Sequence, residues 1–237
     1  MMPAETLQAS HAAIAPEARL VALAAPDSPA AEQYRVLYQR ILKLAVRRPM
    51  RVVAVTSAGR HEGRTTTAAN LALTAAQEGR ATVLVDADLR RPSIARLLGL
   101  APRPGVADVL AGRAELAQAM TRLGPLAVLG AGEDRDAVAL LRSPAAAALL
   151  DQLRATHELV VLDAPPALAF ADGDRLSGDA DAAILVVRAG ATPRQVVRLA
   201  IDALGERAAG IVLNDVDPDA VAHGRWMYPG EAPPSAG

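Results

Sequence analysis

The sequence predicts an α/β fold built on a mostly parallel, doubly wound sheet, and three observations carry that prediction. Uniformly apolar runs at Val52–Val55, Leu159–Leu162 and Ala182–Val187 lack polar alternation, as strands covered on both faces do. These runs alternate with segments of helical period, the order of a layered α/β domain. The first run also feeds a short loop of small and polar residues, after which an alanine-rich helical pattern starts at Thr65.

Residues 1–27 are rich in alanine and proline without a sustained period and read as a flexible arm. Ser28 is placed as an N-cap with Pro29 at the first helical position. Tyr34, Leu37, Tyr38, Ile41 and Ala45 then mark one apolar helix face, which ends before Pro49. A strand follows at Arg51–Thr56. The helix after the loop runs from Thr65 to Glu78 and stops on Gly79, and a second strand at Ala81–Val85 leads into Asp86. Short helices are expected at Ser93–Leu98, Val106–Ala111 and Glu115–Thr121, with a short strand at Leu126–Leu129. Helical segments at Asp136–Leu141 and Pro144–Ala155 precede the strand at Leu159–Leu162. The strand at Ala182–Val187, a helix at Pro193–Leu204 and a last strand at Gly210–Leu213 complete a domain spanning residues 28–216. From Asp217 the proline- and glycine-rich tail reads as loose, and the chain has no internal repeat.

Composition narrows the function. A chain of 237 residues, 51% apolar, buries one large α/β core. Its net charge of −1 offers no global field for nucleic acid or an anionic membrane. With no cysteine there is neither a disulfide framework nor a thiolate metal site, in keeping with a cytoplasmic protein. The N-terminal stretch lacks the basic-then-apolar order of a secretory signal. No uncharged apolar run approaches the roughly 18 residues that span a bilayer, so membrane association is expected only through a partner. His61 lies in the loop as a solvated residue, and His11, His157 and His223 have no metal-ligand spacing.

The chemistry-bearing residues sit where three strands end, the place where ligands bind in parallel sheets. Ala58, Gly63 and Thr65 have the spacing of a phosphate-binding loop, whose backbone N–H groups and following helix dipole hold an anion. The second strand opens into Asp86-Ala87-Asp88-Leu89-Arg90-Arg91-Pro92, and the third into Asp163-Ala164-Pro165-Pro166. A carboxylate at the exit of a buried strand needs a partner. A helix cap or turn can supply one; Mg²⁺ on nucleotide phosphates is the alternative. Two such exits beside one phosphate loop favour the metal.

In these motifs the chain resembles the cytoplasmic domains of bacterial tyrosine kinases that accompany polysaccharide chain-length regulators in capsule and exopolysaccharide systems. The resemblance spans Ser28 to about Val216. It rests on Glu62, Gly63, Thr65 and Thr66, on Asn70-Leu71-Ala72, on Val-Asp-Ala-Asp-Leu-Arg-Arg-Pro and on Val-Leu-Asp-Ala-Pro-Pro. Leu-Val-Val-Arg at 185–188 and Gly-Ile-Val-Leu-Asn at 210–214 add to it. It implies a P-loop NTPase fold of the Min/Par-like class that binds ATP or ADP with Mg²⁺. Gly59 and the backbone of Glu62 to Thr66 would line the phosphates, and Asn214 would contact the base. Thr65 and Asp163 would hold the metal, with Asp88 a metal or supporting carboxylate. Asp86 would be the base toward a tyrosine hydroxyl, with Arg64 as the cation at the γ-phosphate.

Three positions depart from that family. Arg64 replaces the loop lysine, and because Lys43 is the chain's single lysine, drift toward arginine accounts for the direction of the change. A planar guanidinium is nonetheless no equivalent of an ammonium at a tight phosphate site, so weakened turnover is expected. The tyrosines are Tyr34, Tyr38 and Tyr228, leaving one tail acceptor where the family has a cluster. The assembly motif on the first helix keeps Glu32 and Arg35 but has Tyr38 at its second arginine.

The resulting expectation is a cytoplasmic, nucleotide-sensing regulator of polysaccharide biosynthesis or export. It would dock on a separate inner-membrane chain-length regulator and self-associate through Glu32 and Arg35. One rival is an active tyrosine autokinase and ATPase. Another is a Min/Par-type partition ATPase, although its signature lysine would fall at Gly59. A module that never binds nucleotide is the third.

Overall fold

The computed structural model describes residues 20–101, 104–132, 136–170 and 178–216. The expectations for residues 1–19, for the tail from Asp217 and for Tyr228 lie outside these. The described residues form one seven-stranded sheet in the order β3-β4-β2-β5-β1-β6-β7. The strands are β1 (Val52–Ser57), β2 (Thr82–Asp86), β3 (Met120–Leu123), β4 (Leu126–Leu129), β5 (Leu159–Asp163), β6 (Ala182–Arg188) and β7 (Ala208–Asn214). All neighbouring pairs are parallel except β3 with β4.

The apolar runs become buried strands for the anticipated reason. Along β1, Val52 and Ala54 point into one core, Val53 and Val55 into the other. The first core is closed by α5 (Val106–Leu110), α6 (Leu116–Ala119), α7 (Pro144–Thr156), α8 (Ala167–Phe170) and α9 (Arg194–Leu204). The second is closed by α1 (Val21–Ala24), α2 (Pro29–Arg47), α3 (Arg64–Gln77) and α4 (Ile94–Leu97). Helix α3 lies deepest, with ten consecutive residues from Thr67 to Ala76 buried. Its alanines let it sit close against the sheet, while Leu71 and Leu73 fill the gap at about 1.5–3 kcal/mol each.

Local signals set the helix ends. The Ser28 hydroxyl accepts from the Ala31 N–H at 3.2 Å, with Pro29 at the first turn of α2. Gly79, at φ +84°, ends α3 in the left-handed region, and the following Arg80 N–H reaches the Ala75 carbonyl at 3.1 Å.

Two expectations are corrected. Residues 115–121 are not one helix: α6 stops at Ala119, and Met120 begins β3. Gly124, at φ +58°, and Pro125 fold the chain back so that Leu123 pairs with Leu126 in an antiparallel hairpin. The second correction concerns the arm, because residues 20–27 are anchored. Leu20 is fully buried, the Ala22 N–H donates to Asn70 Oδ1 at 3.0 Å, and Gln77 Nε2 donates to the Ala22 carbonyl at 3.0 Å. A strip of apolar side chains on α3 is thereby covered by residues that carry no periodic signal of their own.

On α2, Tyr38 and Ile41 face the core. Glu32 and Arg35 pair with each other at 2.7 Å on the outside, and Arg35 also donates to the Pro26 carbonyl at 2.6 Å. No helix of the described residues is long and apolar enough to cross a membrane.

Candidate functional site

The carboxyl ends of β1, β2 and β5 lie side by side, with Asp86 and Asp163 in register on adjacent strands. The loop after β1 is held by hydrogen bonds from distant elements. Glu62, only 5% exposed, accepts from the Ala58 N–H at 3.1 Å with Oε2 and from the Thr192 hydroxyl at 2.9 Å with Oε1. Asn214, at the end of β7, donates through Nδ2 to the Glu62 carbonyl at 2.9 Å. Gly63 sits at φ +87°, and a Cβ there would collide with that Asn214 amide. Glycine at 63 is therefore required twice, by backbone conformation and by space. As the N-cap of α3 it leaves the first helical turn with no side-chain cap. First-turn N–H groups without a capping side chain suit a phosphate.

Asp86 caps a helix with one of its two oxygens. Its Oδ2 accepts from the Ser93 and Ile94 N–H groups at 2.9 and 3.0 Å, capping α4. Its Oδ1 is buried with no hydrogen-bond partner among the described residues. Burial foremost, and the nearby Asp163 carboxylate next, push its pKa up from 3.8 to about 7. Beside it opens a cleft of about 320 Å³, whose lining includes Asp86, Ser93, Arg96, Thr121 and Gly130.

Asp163 is fully buried, with Oδ2 unpartnered among the described residues. Burial raises its pKa, against the opposing pull of the Arg64 charge and of the Thr65 hydroxyl. Asp88 accepts from the Arg91 N–H at 3.2 Å in a local turn. The Thr65 and Ser93 hydroxyls lie 3.0 Å apart.

Arg64 is where sequence reasoning was least informative. Its Nε donates to Asp163 Oδ1 at 3.0 Å and one terminal nitrogen donates to Asp88 Oδ2 at 2.7 Å. The guanidinium thus lies between the two carboxylates expected at a metal, and not free over the loop. Among the described residues no trio of metal-ligating side chains is preassembled. Two carboxylates, one with an orphaned buried oxygen, and the Thr65 hydroxyl nonetheless form the all-oxygen donor set that Mg²⁺ takes when nucleotide phosphates and water complete its shell.

Thr65, Asp86, Asp88, Asp163, Asn214 and the loop from Gly59 to Thr66 converge at this end of the sheet. Thr192 and Ser93 join them without having been singled out in the sequence. Ser93 had a local cue, since it stands at the N-cap position of a helix just after the Arg-Arg-Pro run. Thr192 had none, lying 130 residues from its partner.

Known proteins share this fold and sequence. The ParA family model, described as the NUBPL iron-transfer P-loop NTPase, matches residues 48–176. The tyrosine-protein kinase YwqD of Bacillus subtilis is 34% identical over 201 residues, covering 82% of this chain and 85% of its own. The succinoglycan biosynthesis transport protein ExoP of Rhizobium meliloti is 32% identical over 81% of this chain, which spans 26% of ExoP. Among solved structures, the kinase domain of Escherichia coli tyrosine kinase ETK superposes with a TM-score of 0.77 at 27% identity, covering 83% of this chain and 80% of that one. The septum site-determining protein MinD of Pyrococcus horikoshii, complexed with Mg-ADP, gives 0.58 at 26% identity over 72% and 75% of the two chains. The match over residues 48–176 and the 34% identity to YwqD establish that the chain belongs to the bacterial tyrosine kinase family within the ParA-like P-loop NTPases.

Proposed function

We propose that this chain is a Mg·nucleotide-binding regulator of exopolysaccharide or capsule-type polysaccharide biosynthesis and export, with phosphoryl transfer weakened at Arg64. The observation that carries this reading is the Arg64 guanidinium held by Asp88 and Asp163. Mg²⁺ bound with ATP or ADP would supply divalent charge against the phosphate oxygens. Thr65 and Asp163 are the residues to hold it, with Asp88 beside them. The backbone N–H groups of Glu62 to Thr66 orient the phosphates, and the Glu62–Thr192 and Asn214 hydrogen bonds keep that loop in shape. Asp86 takes the proton of an acceptor hydroxyl entering from the adjoining cleft, at the oxygen not used for capping. Arg64 can serve a migrating phosphoryl group only by leaving both carboxylates, and its fork is bulkier than an ammonium.

The relatives guide the setting. ExoP carries the matching stretch as a minor part of a transport protein, whereas YwqD matches nearly end to end. We read the present chain as acting at the cytoplasmic side in trans, docked on an inner-membrane chain-length regulator and self-associating through Glu32 and Arg35. Asp86, with its raised pKa and free oxygen, favours a second reading in which the chain is a working tyrosine autokinase.

Melting curves with Mg·ATP and Mg·ADP test the shared core of both readings. Each nucleotide should raise the midpoint by mass action, and Asp163→Ala should reduce the shift. Curves unmoved at millimolar nucleotide would sink both readings. Phosphotyrosine on the unmodified protein, lost in Asp86→Ala, would decide for the active kinase.

A further inference from the structure

We propose that in the nucleotide-free protein the Arg64 side chain is a tethered stand-in for the divalent cation, closing the position built by Asp88, Asp163 and Thr65 to free metal ions. Two carboxylates from different strand exits converge there on one positive group, at 2.7 and 3.0 Å. Asp88 is 5% exposed, Asp163 fully buried, and the Arg64 side chain itself 13% exposed. Two buried like charges this close need a cation between them, because water cannot screen their repulsion or repay their desolvation.

The residue type matters. Arginine presents Nε and a terminal nitrogen as two donors in a fixed plane, and here each grips a different carboxylate. A lysine ammonium is a single point charge on a flexible stem and has no such rigid two-donor edge. The position remains a metal site in kind. Asp163 Oδ2 is buried without a partner among the described residues, and Thr65 follows Arg64 in the first turn of α3, its hydroxyl 3.0 Å from that of Ser93.

Linkage follows from the competition. A divalent ion arriving alone must break both guanidinium contacts, and it gains only ligands that are already neutralised. A nucleotide arriving with it offers phosphates that compete for Arg64, so metal and nucleotide each favour the other's binding. The closed position concerns the free protein alone. Only its opening rests on the nucleotide-binding reading above.

Mn²⁺ titration of the whole chain, followed by loss of the free-ion paramagnetic resonance signal, tests this without any turnover. Without nucleotide the unmodified protein should take up no Mn²⁺ at this position. Arg64→Ala should bind one ion at least tenfold more tightly, and Asp163→Asn in that background should abolish the gain. Equal Mn²⁺ affinity in the unmodified protein and in Arg64→Ala would overturn the proposal. Should circular dichroism show Arg64→Ala unfolded, Arg64→Lys serves instead: Mn²⁺ uptake tighter than in the unmodified protein supports the stand-in, and no change overturns it. Adding ADP to the unmodified protein should bring Mn²⁺ uptake. If Arg64→Ala gains the ion but ADP brings none to the unmodified protein, the nucleotide reading fails while the closed position stands.

Discussion

Replacing Asp86 by asparagine should stabilise this protein above neutral pH while removing its proposed base. In the folded chain the Asp86 carboxyl keeps its proton up to about 7, whereas its ordinary value is 3.8. Between those values the native state binds a proton that the unfolded chain has lost. Stability therefore falls as pH rises through this window, and the loss is complete above it. Asp163, also raised by burial, adds in the same direction. For Asp86 alone the difference corresponds to at most about 4 kcal/mol at roughly 1.4 kcal/mol per pH unit. Asparagine keeps the shape, can accept from the Ser93 and Ile94 N–H groups as Oδ2 does, and never ionises. Its amide must still find a partner where Oδ1 has none. The expected gain at pH 8 is therefore about 2–4 kcal/mol, or roughly 4–16 °C in Tm for a domain of this size. At pH 5, where the native carboxyl is neutral but the unfolded one has already ionised, the gain should be smaller by about 2–3 kcal/mol. Thermal or urea unfolding in EDTA, without nucleotide, at pH 5 and pH 8 measures both values. A variant no more stable than the parent at pH 8, or one with the parent's full pH dependence, would refute the account of Asp86 as a buried, mostly neutral carboxyl.

Three further outcomes are expected. Arg64→Lys should raise ATP turnover about tenfold, a barrier change of about 1.4 kcal/mol, in a phosphate-release assay; unchanged turnover would place the defect elsewhere, first in self-association through Glu32 and Arg35. Gly63→Ala forces a positive φ on alanine and drives its Cβ into Asn214, so it should cost about 1–3 kcal/mol in urea unfolding and erase the nucleotide-induced Tm shift. Leu20→Ala should lower stability by about 2–5 kcal/mol as a buried cavity forms, while a flexible arm would give no measurable change.

Much of the fold was legible because its determinants are local. The apolar runs of β1, β5 and β6 specify strands buried on both faces, and Ser28, Pro29 and Gly79 mark helix ends through their own backbone chemistry. The failures came where a partner supplies the reason for a conformation. The Met120–Leu123 strand exists because Gly124 and Pro125 fold it onto β4, and α1 is held in place by Asn70 and Gln77 of α3.

The same division runs through the site. By itself the sequence determined which residues gather there, since a parallel sheet brings its strand ends to one edge and Asp86, Asp88, Asp163 and the loop from Ala58 to Thr66 all follow strand ends. Only the tertiary structure decided what those side chains do for one another. Arg64 meets Asp88 across 24 residues and Asp163 across 99; Glu62 meets Thr192 across 130, and its carbonyl meets Asn214 across 152. The physical reason is that spacing along a chain constrains backbone position, whereas a long side chain chooses its partner by charge and reach in three dimensions. A guanidinium next to a phosphate loop can turn toward an anion or toward two buried carboxylates, and the packing of β2 against β5 brings those carboxylates within its grasp.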